Sequence, residues 1–218
     1  MKEENLAPVI IFTYNRLDTL EHVISSLKNN LLALDTEVFI FSDYGKNGSS
    51  KKEVSNIREY LYKISGFKSV NIIERKENYG LAKNIIEGVS EIINRYGKVI
   101  VLEDDLITSK NFLSYMNQAL DFYENDKKIF AISGYTGNLP SLKNLKDEGY
   151  LSYRPSSWGW ATWKEEWDNN DWEVKDFDKF IKNKDSIKKF NQGGIDMTRM
   201  LKSCMEGRNH SWAIRWSY

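Results

Sequence analysis

The sequence predicts an α/β fold in which a mostly parallel, twisted sheet is flanked by helices. Two observations support this prediction. Short β-branched apolar runs recur through the first 135 residues, and longer segments with helical periodicity separate them. Such repeats give parallel strands joined by right-handed crossovers. Ligands of these sheets bind beyond the carboxyl ends of the strands, near the point where the strand order reverses.

Five apolar runs have the length and composition of strands, and a polar residue follows each of them. They are Pro8–Phe12, Glu37–Phe41, Val70–Ile73, Val99–Leu102 and Ile129–Ile132. Segments whose apolar residues share one helical stripe, or whose length and composition favour a helix, are the predicted helices. They are Leu17–Leu31, Leu81–Ile93, Lys110–Tyr123, Asp176–Lys184 and Gly194–Glu206.

The composition excludes several classes of protein. Of the 218 residues, 41% are hydrophobic and 28% charged, which indicates a globular chain. The 31 basic and 31 acidic residues cancel, so neither a nucleic-acid partner nor an anionic membrane is indicated, although peripheral membrane association stays open. One cysteine and two histidines provide no internal disulfide and no Cys/His zinc site, which favours a reducing compartment.

The two ends of the chain carry further expectations. The start, MKEENLAPVIIFTYNR, lacks the features of a signal peptide, and no apolar run reaches the roughly 20 residues of a spanning helix, so we expect a cytoplasmic protein without a transmembrane segment. All seven tryptophans follow residue 157, which divides the chain into parts 1–135 and 136–218. Because termini are usually polar, the ending SWAIRWSY suggests truncation at the C-terminus.

Polar residues follow the predicted strands. The segment 13–16 follows the first strand, Ser42 and Asp43 follow the second, Glu74 and Arg75 the third, and the segment 103–105 the fourth. Glycine-rich phosphate loops of the GxGxxG and GxxxxGK[ST] types are absent from the sequence, which argues against a dinucleotide dehydrogenase and a P-loop nucleotidase.

Three consecutive carboxylates in VLEDDL are the most informative feature. At the end of a buried strand they repel one another unless a cation or hydrogen-bond donors compensate them. Mg²⁺ or Mn²⁺ fits, because it takes one or two carboxylates and completes its shell with water and phosphate oxygens. Asp105 is the expected direct ligand. Alternatively, the acids only favour the start of the helix from Lys110, and Asp43 is only a turn residue.

Together these segments resemble the GT-A glycosyltransferases, particularly bacterial family-two-like sugar transferases and the N-acetylglucosaminyltransferase I group. The matching segments are PVIIFTYNR, FIFSDYG, ENYGLAKNI, VLEDDL and WGWATWKEEW with SWAIRW, in that order and spanning about residues 7 to 216. The resemblance implies a GT-A, Rossmann-like fold with an aromatic-rich acceptor side. It also implies a UDP-sugar donor, a saccharide acceptor, Mn²⁺ or Mg²⁺, and a role in bacterial surface polysaccharide synthesis.

The resemblance also implies roles for single residues. Arg16 and Asp43 would hold the uridine, Glu103 and Asp104 the ribose and the inner part of the site, and Asp105 the metal. The segments that contain Thr13, Asn15 and Lys83 would bind the rest of the donor.

The catalytic base is the least clear part of this assignment. The resembled group uses a carboxylate near the second aromatic cluster, where this chain has His210. An imidazole, which ordinarily titrates near ~6.5, is a competent base, and Asp196 and Glu206 are the carboxylate alternatives. His210 is otherwise a surface histidine.

The tryptophans after residue 157 have two interpretations. Trp158 and Trp160 present aromatic faces to a sugar, or they pack in the core like most tryptophans.

We therefore expect a metal-dependent inverting glycosyltransferase. A non-catalytic nucleotide-sugar or glycan-binding module is the alternative, and a sugar-phosphate nucleotidyltransferase is less favoured because the first loop lacks a glycine-rich segment.

Overall fold

The computed structural model describes residues 6–146 and 149–218. Its strands are Val9–Thr13 (β1), Glu37–Ser42 (β2), Ser69–Glu74 (β3), Lys98–Glu103 (β4), Ile132–Ser133 (β5) and Trp160–Trp163 (β6). They form one sheet in the order β3-β2-β1-β4-β6-β5. The pairs β1 with β2, β1 with β4 and β2 with β3 are parallel, whereas β6 is antiparallel to both β4 and β5. The predicted α/β fold with a mostly parallel sheet is confirmed.

Helices cover both faces of the sheet. They are Leu17–Lys28 (α1), Gly48–Leu61 (α2), Gly80–Tyr96 (α3), Phe112–Tyr123 (α4), Lys164–Asp168 (α5), Phe177–Phe180 (α6), Lys184–Phe190 (α7), Met197–Met205 (α8) and Trp212–Trp216 (α9). Among the residues that the structure describes, none of these helices is long and apolar enough to cross a bilayer.

The core lies on both faces because side chains alternate along each strand. In β1, Val9 and Ile11 pack with α1, α2 and α4, while Ile10 and Phe12 pack with α3 and the tryptophans of the C-terminal region. Helix α3 lies very close to the sheet at Gly88, where a Cβ atom would stand 2.7 Å from Phe12 Cε1. The region after residue 157 is therefore part of the same core as the first strand.

Several differences from the sequence-based prediction concern local structure. Of the fifth predicted strand, Ile129–Ile132, only Ile132 lies in a strand, β5, and helices α5 and α9 were not predicted. Helix α2 was not predicted, although Asn47 and Ser50 form a reciprocal capping box at its start. Strand β6 was not predicted either. The helix predicted over Asp176–Lys184 is divided into α6 and the start of α7, because the Asn183 side chain accepts hydrogen bonds from two backbone N–H groups and begins a new helix.

Strand β6 determines where the C-terminal region meets the sheet. Trp160 lies opposite Val101 and Trp163 lies opposite Lys98, so β6 runs from the carboxyl end of β4 to its amino end. The segment just before β6 is consequently placed at the same edge as the ends of the parallel strands.

Candidate functional site

Four strand ends meet at one edge of the sheet. Thr13 of β1 lies beside Ser42 of β2, and Ser42 lies beside Glu74 of β3. On the other side of β1, Phe12 lies beside Glu103 of β4. The loops that leave these strands therefore converge, as the sequence predicts for a parallel sheet.

Asp104 joins the loop after β1 to the end of β4. Its side chain is buried, with 3% of the residue exposed. Its Oδ2 accepts hydrogen bonds from Thr13 Oγ1 at 3.0 Å and from the Tyr14 N–H at 3.2 Å, and its Oδ1 pairs with Arg16. Burial raises the pKa of Asp104, while Arg16, Tyr14 and Thr13 act against the rise. Asp104 and Thr13 thus hold the loop in place, and the direct ribose contact expected for Asp104 stays a prediction.

Arg16 connects the two aspartates. Besides Asp104, it reaches Asp105, with 3.0 Å between Nη1 and Oδ2. Both side chains are half-exposed, 49% for Arg16 and 43% for Asp105. The guanidinium thus provides a cation that compensates the clustered acids, and the uridine contact expected of Arg16 stays a prediction.

Of the three acids at 103–105, Glu103 is the one whose side chain has no partner among the described residues. Among the described residues, no hydrogen bond or ion pair reaches its side chain. Burial raises the pKa of Glu103 to about 7, the charges of Asp105 and Asp104 add to the rise, and Arg16 partly offsets it. A second cation near Glu103 would therefore favour the ionised form of a carboxyl group that burial and the neighbouring acids otherwise hold partly protonated.

The acidic group fits a divalent metal that is held only partly by protein. Asp105 and Glu103 supply the hard carboxylate oxygens that Mg²⁺ and Mn²⁺ prefer. Within residues 6–146 and 149–218, no group of three or more His, Cys, Asp or Glu side chains is arranged to hold a metal ion. The remaining ligands would have to be water and substrate oxygens.

Asp43 lies at the centre of a hydrogen-bond network. It is 4% exposed, and its Oδ1 accepts from the N–H groups of Tyr44 and Tyr79, each at 2.8 Å. Its Oδ2 accepts from Asn78 Nδ2 at 3.1 Å and from the Gly80 N–H at 2.9 Å. These four bonds occupy about all the acceptor positions of a carboxylate. Asp43 thus anchors the start of α3 to the end of β2, and the direct contact with uridine stays a prediction.

Arg75 is a candidate that we did not assign, although it directly follows a predicted strand. Its guanidinium carbon lies 4.8 Å from the Phe41 ring centroid and 4.6 Å from that of Tyr79. Nε donates to Asn84 Oδ1 at 2.9 Å, whereas the buried Nη2 has no partner among the described residues. A buried donor without an acceptor is costly, so this atom is suited to a ligand oxygen.

Arg58 is a second residue that the sequence-based prediction missed, because it lies on the unpredicted helix α2. Nε donates to Ser42 Oγ at 3.2 Å, and Nη2 donates to the carbonyl oxygen of Arg75 at 2.8 Å. Nη1 pairs with Glu74 Oε2 at 3.0 Å. Arg58 thus fixes the ends of β2 and β3 relative to each other.

Asn15 and Lys83 lie near the site but are engaged with neighbours. Asn15 Nδ2 donates to Glu53 Oε2 at 2.8 Å, which links the first loop to α2. The Lys83 ammonium lies 3.9 Å from the Tyr79 ring centroid and 3.9 Å from Glu87. Donor binding by these two residues stays a prediction.

Trp160 agrees with the second of its two interpretations, packing in the core. It is 1% exposed and packs with Trp167, Trp212 and Trp216 at centroid distances of 5.6, 5.4 and 4.3 Å. A ring enclosed in this way has no face for a sugar, so Trp160 is a core residue.

Trp158 is placed differently. It is 54% exposed and meets Tyr135 edge to face, with 4.6 Å between the ring centroids. The next residue, Gly159, has a φ of +69°, and a Cβ atom at this position would stand 3.4 Å from Cδ2 of Leu102, the residue before Glu103. This left-handed turn, which favours glycine, leaves the Trp158 indole exposed beside the end of β4.

The three candidate bases lie in the C-terminal region, and each has other neighbours. Asp196 pairs with Arg154 at 2.9 Å. Burial acts to raise the pKa of Asp196, but hydrogen bonds from its own backbone and Arg154 hold it below its usual value. Glu206 pairs with Arg208. His210 lines a depression with Trp172, Glu173, Cys204, Met205 and Arg215. That depression includes none of the residues expected to hold the donor.

Comparison with known proteins adds one sequence relative and several structures. An alpha-1,3-mannosyl-glycoprotein 2-beta-N-acetylglucosaminyltransferase of Arabidopsis thaliana is 25% identical over 175 residues, covering 75% of this chain and 38% of that protein. The mannosyltransferase PcManGT from Pyrobaculum calidifontis, in complex with GDP-Man and Mn²⁺, has 15% identity and a TM-score of 0.48, covering 73% of this chain and 44% of the other. S. aureus TarS 1-349 has 13% identity and a TM-score of 0.48, and the match covers 86% of this chain and 55% of the TarS chain.

The chain thus spans less than two thirds of each of these proteins. The sequence model of glycosyl transferase family 2 matches residues 9–192, which include all strands of the sheet and every loop of the carboxyl edge. The chain belongs to glycosyl transferase family 2.

Proposed function

We propose that the chain is a metal-dependent inverting glycosyltransferase that moves a sugar from a UDP-sugar to a saccharide acceptor. The setting we propose, synthesis of a bacterial surface polysaccharide, rests on the sequence resemblance alone. The cytoplasmic location we propose rests on the single cysteine, which favours a reducing compartment.

One observation carries the proposal: an arginine with an unpaired donor and an acidic group with an unpaired carboxylate lie at opposite ends of the same sheet edge. Arg75 follows β3 and Glu103 ends β4. Three strand spacings separate them, roughly 14 Å. An elongated ligand fits this distance if it presents acceptor oxygens at one end and a metal-bound diphosphate at the other. A nucleoside diphosphate has this form.

Asp105 and Glu103 would hold the metal, and Asp104 would act indirectly by fixing the loop that carries Arg16. When bound, Mn²⁺ or Mg²⁺ would neutralise the negative charge that develops on the leaving diphosphate. Arg16 lies beside the same acids and is exposed enough to turn towards an incoming phosphate. Lys83 provides a further half-exposed positive charge.

Trp158 would bind the acceptor sugar against its aromatic face. The acceptor hydroxyl attacks the anomeric carbon, the bond to the nucleotide oxygen breaks, and the hydroxyl proton passes to a base. Asp196 is ionised over the physiological range, since hydrogen bonds from its own backbone and from Arg154 hold its pKa below the usual value of an aspartate, and it would accept that proton as the carboxylate. His210 and Glu206 remain the alternatives.

The test is release of UDP from UDP-sugars with Mn²⁺, measured with and without saccharide acceptors. We expect release that requires Mn²⁺ and stops on addition of EDTA. Inversion is checked by the anomeric configuration of the product. Metal-independent release, or a product with retained configuration, would contradict the proposed mechanism.

A binding module without turnover is the second candidate. It is favoured by the partners of the three candidate bases, since Asp196 and Glu206 are ion-paired and His210 lies in a depression apart from the donor residues. Metal-dependent UDP binding without release from any donor, across varied acceptors, would support this candidate over the enzyme.

A further inference from the structure

Arg16 occupies the place in the acidic group that a metal's charge would otherwise take. Its guanidinium pairs with Asp104 and lies 3.0 Å from Asp105 Oδ2. A planar guanidinium has donors arranged as a fork, which suits it to bridge two carboxylates. Asp105 is the most exposed acid of the group and also the expected metal ligand. Among the described residues, Asp105 Oδ1 is left free, but a divalent cation at this carboxylate would lie close to the guanidinium, and the two positive charges would repel each other.

The rest of the site tolerates the departure of Arg16. Asp104 keeps two donors, Thr13 and the Tyr14 N–H, when the guanidinium leaves. Arg16 is the residue immediately before α1, and its side chain makes no hydrogen bond that caps this helix. Half of the side chain is exposed. The backbone is thus held while the guanidinium is free to move.

We propose that Arg16 is an internal counter-ion that a divalent cation displaces from Asp105, and that a nucleoside diphosphate then provides the displaced guanidinium with its next anionic partner. This inference rests on the proposed function. Its consequence is that metal and nucleotide bind cooperatively. The metal alone has to separate an existing ion pair, whereas the metal with a diphosphate exchanges one anionic partner of Arg16 for another.

Because coupling is reciprocal, either ligand measures it. We choose Mn²⁺, whose free ion is counted directly by electron paramagnetic resonance in solution. Four proteins are titrated with Mn²⁺, with and without UDP: the wild type, Arg16→Gln, Arg16→Lys and Arg95→Gln. The last variant is the matched control, since it removes an equal charge from the end of α3, at the opposite edge of the sheet.

For the wild type and Arg95→Gln we expect weak binding of Mn²⁺ alone and at least about fivefold tighter binding with UDP. Arg16→Gln is expected to bind Mn²⁺ alone at least about fivefold more tightly than the wild type and to lose most of the gain from UDP. Arg16→Lys keeps the charge but cannot bridge two carboxylates, so its affinity for Mn²⁺ alone lies between those of the wild type and the Gln variant.

Equal affinities of wild type and Arg16→Gln for Mn²⁺ alone, with the UDP effect intact, would overturn the inference and leave the proposed function standing. Failure of every protein to bind Mn²⁺ even with UDP would overturn both. Thermal melting reports whether each variant is folded. If Arg16→Gln is unfolded, Arg16→Lys decides, and an affinity no higher than that of the wild type would contradict the inference.

Discussion

The carboxyl edge of the sheet and the aromatic region after residue 157 both collect residue types that are common in binding sites, but for opposite reasons. At the edge, the ends of four parallel strands bring polar groups together, and a carboxylate such as Asp43 accepts four hydrogen bonds. In the aromatic region, the indoles gather to fill the space between α3, β6 and α9. The buried Nε1 atoms of Trp160, Trp163 and Trp216 have no acceptor among the described residues.

Polar clusters and aromatic clusters therefore have to be interpreted differently. A polar group is costly to bury without partners, so polar residues at a strand end indicate a site or a hydrogen-bond network. A tryptophan is stabilised by burial whether or not a ligand is present, so several tryptophans close together indicate packing first. Only exposure, as at Trp158, separates a binding indole from a core indole.

The largest effect should come from the aromatic core. Trp160→Ala should lower the free energy of unfolding by about 3–5 kcal/mol, because it leaves a cavity among three other tryptophans. Urea unfolding measures the loss. Trp158→Ala is the matched control and should cost less than about 1 kcal/mol, since Trp158 is exposed. Similar losses in both variants would remove the distinction between core and surface indoles.

The substitution Asp105→Asn tests the metal site that we propose at the carboxyl edge of the sheet. Turnover should fall about 10²–10³-fold, as when a preorganised stabiliser of transition-state charge is removed, while the unfolding free energy stays close to that of the wild type. Asp178→Asn, at an exposed aspartate of α6, is the control and should leave both quantities unchanged. Full turnover in Asp105→Asn would exclude Asp105 as a metal ligand.

Asp43→Asn tests whether an internal network supports the site. The amide keeps one acceptor oxygen and places an NH₂ group against donors, so we expect a loss of about 1–3 kcal/mol in stability. UDP binding should weaken as well, because the Tyr79 loop is released. Unfolding and calorimetric titration measure the two effects, with the exposed Asp35→Asn as control. Weaker UDP binding at unchanged stability would support the direct contact with uridine.

Trp158→Ala should raise KM for the acceptor about fivefold, the equivalent of roughly 1 kcal/mol of aromatic contact. Neither UDP affinity nor stability should change. Acceptor titrations at saturating donor measure the effect. An equal loss in donor hydrolysis without acceptor would place the indole at the donor instead.

The smallest effect concerns pH. If Asp196 is the base, its lowered pKa keeps it ionised, and kcat/KM should be flat from about pH 5 to 8. An acid limb within that range would contradict Asp196 as the base and favour His210. A separate effect of pH concerns the stability of the fold. The ion pair between Asp196 and Arg154 stabilises the folded state above about pH 3.8, the pKa of Asp196 in the unfolded chain. This stabilisation is lost as the pH falls through the lower pKa that Asp196 has in the folded chain.

Much of the fold and part of the site were accessible from the sequence. The strand–helix alternation predicted β1 to β4, α1, α3 and α4, and the positions after these strands identified Asp43, Arg75 and the acids at 103–105 as neighbours. The sequence pattern did not reveal β6, because its four residues are buried on both faces and show no alternation. Arg58 was inaccessible because its role depends on the packing of α2 against two strand ends.

That polar groups meet at one edge follows from the order of the residues, since apolar periodicity dictates which segments become strands and parallel strands end together. How those groups are used depends on the packing of segments against one another. Whether a carboxylate faces a ligand or a neighbouring loop depends on distances of a few ångströms between segments far apart in the chain. Arg16 on Asp105 and the loop of Tyr79 on Asp43 are contacts of this kind, and no periodicity encodes them.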